Sequence, residues 1–169
     1  MKKIILIITV ALASISCQQD KIAFVDNTKL LNEYQEKIDI EAKYKGKFEI
    51  FGKKRDSITQ VFQGEAQAFQ QEAQKLSQSV AQEKYQTLMQ KSQTIQQQVQ
   101  MEEQQLAMES QGEIDSLLKK VKVFVEDYGK TNGYTYILGK NDAGSVMYGE
   151  DSKDITDELL KALNDAYKK

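Results

Sequence analysis

Asp26, Glu150 and Asp151 stand beside turn residues and are the groups in this chain best suited to form a general acid/base pair. Little else supports catalysis. The sequence contains no His, no Trp and one Cys, so the commonest general base and the commonest metal ligand are missing together. No phosphate loop, nucleophile elbow or metal-ligand cluster accompanies the acids. Capping and turn roles explain these carboxylates more simply. The expectation is a protein that is not an enzyme and holds neither cofactor nor metal.

The single thiol, Cys17, ends an N-terminal stretch unlike the rest of the chain. Lys2 and Lys3 precede an apolar run at 4–15, then Ser16. A charged start, an apolar run shorter than the ~20 residues of a membrane span and small residues at the cut describe a secretory signal over residues 1–16. In "SISCQQD" the cysteine stands where a bacterial lipoprotein signal, which it resembles, places its lipidated residue. Ser14 replaces the Leu usual in such signals. A lone Cys in an oxidising compartment can form no intramolecular disulfide, and a lipid anchor on Cys17 accounts for it. A plain signal with an incidental thiol is the alternative. The formal charge is −2 and the sequence pI about 5.4; removal of Lys2 and Lys3 makes the mature chain more acidic. Nucleic acid is therefore not an expected partner.

The elements follow from periodicity. Residues 22–25, "IAFV", form an apolar β-rich run and predict a buried strand; Thr28 is a candidate cap for the helix opening at Lys29. From about 38 to 128 no proline interrupts the pattern. Apolar residues recur at Phe51, Ile58, Phe62, Phe69, Ala73, Leu76 and Val80, then at Leu88, Ile95, Val99, Leu106, Ile114, Leu117 and Val121, each series a stripe along one helix face. One helix of that length would reach roughly 135 Å. Folding it back lets the stripes cover each other, with a tip at 76–82 where Ser77 or Ser79 can cap and Ser79 with Gln82 has capping-box spacing. Gly46, Gly52, Gly64 and Gly112 lie within these helices, either as tolerated drift or to let the arms bend. Near the end, 134–138 and 145–148 flank the turn "GKNDAG" and predict a β-hairpin; Thr156 is expected to cap a final helix carrying Leu159, Leu160 and Leu163. The fold class is α+β. Residues 20–36 and 129–169 form a β-rich body and 37–128 a helical-hairpin arm.

"KIAFVDNTKLL" after the signal, with "NGYTYIL", "SVMYG" and "KDITDELLKALN" near the end, resembles the Skp (OmpH-like) family of periplasmic chaperones over essentially the whole mature chain. The resemblance implies a homotrimer whose strands build a central barrel, with Ile22, Phe24, Val25, Tyr136, Ile137, Leu138, Val146 and Tyr148 in that trimer body. It implies arms around a cavity that holds unfolded outer-membrane proteins without nucleotide hydrolysis. Members of that family are often basic, which this chain is not. Three short strands per chain make too small a core alone, so assembly is also expected on stability grounds.

A holdase needs dispersed, adaptable contacts, and Met suits that need. Val61, Met89, Met101 and Met108 lie off the seam and are the client-facing candidates; the alternative is that they widen the hairpin core. The Gln-rich stretch at 94–111 keeps a seam at Ile95, Val99 and Leu106, so it reads as a polar wall of the arm and not as disordered chain. The competing function is an envelope adaptor or structural lipoprotein whose coiled-coil arms bind one specific partner.

Overall fold

The computed structural model describes residues 20–168; the signal segment and Cys17 lie outside the described residues. The order is β1 (Ile22–Asp26), α1 (Asn27–Glu33), α2 (Gln35–Ala73), α3 (Gln78–Thr131), β2 (Tyr136–Lys140), a single 3-10 turn (Asp151–Lys153) and α4 (Thr156–Tyr167). The fold is α+β, a long antiparallel helical hairpin standing on a small sheet. Among the described residues, no helix is long and apolar enough to cross a membrane.

Without proline, and rich in Gln, Glu and Lys that lose little rotamer freedom in a helix, α2 and α3 run unbroken for 39 and 54 residues. The seam residues return every eleven positions: Phe51, Phe62 and Ala73 in α2, Ile95, Leu106 and Leu117 in α3. That period is closer to the 3.6-residue turn than a heptad is, so the stripes stay in contact without a left-handed supercoil. The connection falls at 74–77, earlier than expected and overlapping only the first two residues of the 76–82 window. Ser77 takes the N-cap position without a side-chain cap bond, and Ser79 already lies inside α3, so the Ser79/Gln82 capping box does not form.

β1 and β2 pair in parallel, from Ile22 opposite Tyr136 to Asp26 opposite Lys140. Parallel neighbours require a long crossover, and here the whole helical hairpin is that crossover. The expected β-hairpin is thereby corrected: residues 145–148 form no strand. Alternation marks a segment as able to be a strand but does not name its partner. α3 delivers β2 to one edge of β1, while Asp154 bridges to Phe24 and the Ile155 N–H donates to the Phe24 carbonyl at 3.1 Å. The far edge of β2 stays unpaired, residues 145–148 do not join it, and Met147 is 89% exposed.

Ala23, Val25, Leu30, Tyr34, Leu117, Val121, Ile155, Leu159 and Leu163 form the core, where β1, α1, the base of the arm and α4 converge. Asp26 caps α1 by accepting from the Lys29 N–H at 2.9 Å, the role expected of Thr28; α1 begins at Asn27, two residues before the expected Lys29. Thr156 is likewise not a cap but the first residue of α4. Its buried hydroxyl accepts from the Asp26 N–H at 2.8 Å and donates to Asp154, whose carboxylate also takes the Thr156 N–H at 2.9 Å. The buried ring of Tyr34 fills the break between α1 and α2, and Asn164 of α4 accepts from the Gln35 N–H at 2.9 Å. α4 thus fastens the base of the arm to the body.

Candidate functional site

The acids considered for catalysis do not converge on a reacting centre. Asp26 is occupied as a cap, Asp151 opens the 3-10 turn, and Glu150 accepts weakly from Ser152 at 3.4 Å. Among the described residues no cluster of acids or Cys could hold a metal.

Along the arm, charge and apolar surface are sorted. Six ion pairs join α2 to α3 among the described residues: Glu36–Lys120, Lys43–Glu113, Lys47–Glu109, Lys54–Glu102, Glu65–Lys91 and Glu72–Lys84, at 2.5–3.1 Å. In each pair the two residue numbers add to the same total, as one unbroken antiparallel register demands. Lys lies on α2 and Glu on α3 at three adjacent rungs, with the reverse order above and below them. Sliding one helix past the other by a heptad would set Lys43 against Lys120 or Glu36 against Glu113. Such pairs are individually worth little; their arrangement specifies alignment. Hydrogen bonds from Lys43 and Tyr44 hold the Glu113 carboxyl below its ordinary range, Gln105 and Lys47 do the same for Glu109, and Lys84 does so for Glu72. At Glu36 burial opposes ionisation, but hydrogen bonds from Lys120 and Tyr34 outweigh it and its pKa is also lowered.

Between Lys54–Glu102 and Glu65–Lys91 the ladder is interrupted. The register there sets Ile58 against Gln98 and Val61 against Ile95. Beside this gap opens a groove of about 680 Å³, where half-buried Ile58, Ile95, Val99 and Leu106 meet Gln98, Met101 and Gln105.

All four off-seam candidates are exposed: Val61 61%, Met89 46%, Met101 61% and Met108 68%. Met101 and Met108 follow seam residues by two positions, about 200° around a helix, so they stand on the back of α3 and not beside the seam. Met101 still reaches the groove. Val80, assigned to the seam, is instead exposed in the first turn of α3. Ile50, 69% exposed, was missed; it precedes Val61 by eleven residues, the repeat that would have found it.

The body residues divide between the faces of the sheet. Val25 is buried against the helices, and Ile137 packs beside Gly129. Ile22, Tyr136 and Leu138 are exposed on the other face, where Phe24 is covered by Gly149 and Lys140. Val146 is half-buried and Tyr148 exposed.

A model of the outer membrane protein (OmpH-like) family matches residues 21–163, both strands and both arm helices included. The chain belongs to the OmpH-like family. Within it, a stretch of 51 residues is 37% identical to outer membrane protein 26 of Haemophilus influenzae, covering 30% of this chain and 24% of that relative. The OmpH-like fold is matched more widely by a crystal structure from Caulobacter crescentus, described as that of an OmpH-like outer membrane chaperone. It superposes with a TM-score of 0.77 at 14% identity, over 87% of this chain and 85% of the other.

Proposed function

We propose that this OmpH-like protein is an ATP-independent periplasmic holdase, which keeps unfolded outer-membrane proteins from aggregating in a cavity between the arms of a homotrimer. The observation that carries this is the arm surface: six ion pairs tie its two helices together, while Ile50, Val61, Met101 and Met108 remain exposed along it and Met101 also reaches the Gln-rimmed groove. Such a surface offers a client dispersed, weak and adaptable apolar contacts among polar glutamines. Residues 20–36 and 129–169 serve as the body and 37–128 as the arm. The exposed Ile22, Tyr136 and Leu138, together with Val146 and Tyr148, supply the trimer contacts, which would also cover the open edge of β2. Cys17 carries a lipid.

The test measures light scattering of several unrelated β-barrel membrane proteins diluted from denaturant. Suppression at about one trimer per client is expected. An effect on one partner only would identify an adaptor instead, and a monomeric solution mass would remove the cavity.

A further inference from the structure

The described chain begins at Asp20, only three residues after Cys17, and the place where it begins is fixed by the fold. The Thr135 N–H donates to the Lys21 carbonyl at 2.8 Å, and the Lys21 ammonium donates to the carbonyl of Asn132, the residue capping the C-terminus of α3, at 2.9 Å. That ammonium also lies 4.0 Å over the Tyr134 ring. The start of β1 and the end of α3 therefore share one pole of the body. The arm tip lies at the other end of α3, whose 54 residues span about 80 Å.

Resting on the lipid-anchor reading of Cys17, we infer that this pole, formed by Asp20, Lys21, Lys130 and Asn132, faces a lipid headgroup surface and that the arms project away from it. The four residues from Cys17 to Lys21 reach at most about 14 Å, so an acyl chain at Cys17 holds Lys21 beside the headgroups. The pole carries balanced charge. Asp20 accepts from the Thr135 hydroxyl, and Lys130 pairs with Glu126 at 2.7 Å. Attachment should therefore depend on the acyl chain and not on anionic lipid. Lys and Tyr at such a pole suit the headgroup layer, where a polar tip stays wet beside an apolar body.

The test uses the full mature chain in two forms: as isolated from cells, with its intact mass read for a diacylglycerol group, and coupled through the Cys17 thiol to vesicles bearing a maleimide lipid. Lysine acylation followed by mass spectrometry reports accessibility. Lys130 should label several-fold more slowly on vesicles than in free protein, with Lys75 at the tip unchanged, and equally on zwitterionic and anionic vesicles. Unchanged labelling of Lys130, or protection of Lys75 by an arm lying along the surface, would overturn the orientation. A mature mass without lipid would overturn the anchor alone, because the coupled form still reads the orientation.

Discussion

Thr156 illustrates a residue whose role depends on partners far away in sequence. Its hydroxyl is buried, takes the Asp26 N–H and gives its own hydrogen to Asp154, joining the end of β1 to the start of α4. Thr156→Val keeps the shape but leaves a buried N–H and a carboxylate short of a partner, so unfolding in urea should show a loss of about 1–3 kcal/mol. The sequence marked Thr156 as a helix start, but its bond to the Asp26 N–H was not legible because it joins residues 130 positions apart. On the arm, exposure was harder to read than burial. Met101 and Met108 were recognisable as off-seam, yet only the helix rotation puts them on its back. Replacing both by Gln should weaken suppression of client aggregation while circular dichroism and solution mass stay unchanged; parallel loss of helicity and activity would count against a client-facing role.

At the scale of elements, the arm helices were legible because each apolar stripe repeats many times, whereas the sheet was not. Five-residue strands carry too little pattern to choose between a neighbour ten residues away and one beyond the hairpin. The four arm glycines ask a different question. A Cβ at Gly46, Gly52, Gly64 or Gly112 would meet nothing within 4 Å, so packing does not require them. Gly64→Ala should raise arm stability by up to about 1 kcal/mol, read as a higher melting temperature. If bending near the ladder gap serves client uptake, the same change should slow uptake of an unfolded barrel protein. Stabilisation with unchanged uptake would make this glycine incidental.

For the whole molecule, the chemistry missing from the sequence is as informative as what is present. With no His, no side chain with an ordinary pKa titrates between about pH 5.5 and 8. The lowered pKa values of Glu72, Glu109 and Glu113 mean that their pairs stabilise the arm above the ordinary carboxylate value of 4.5 and cease to do so as pH falls through the depressed ones. Melting temperature should thus stay level across the neutral range and fall only in acid, a profile that calorimetry against pH can check.

The common register also allows the arm to be shortened without disturbing the body. Residues 55–65 and 91–101 face each other across the gap, and each block is close to three helical turns. Removing both keeps the rungs Lys54–Glu102 and Glu72–Lys84 aligned and the seam in phase. The loss comprises the Glu65–Lys91 rung, Val61, Met101 and most of the groove floor. Such a chain should retain its helicity per residue and its oligomeric mass, because the core at the arm base is untouched, while protection of unfolded clients drops severalfold. Removing 55–65 alone instead misaligns every distal rung and should lower the melting temperature. If the two deletions behaved alike, register would not organise the arm; if the paired deletion protected clients fully, binding would lie outside the groove.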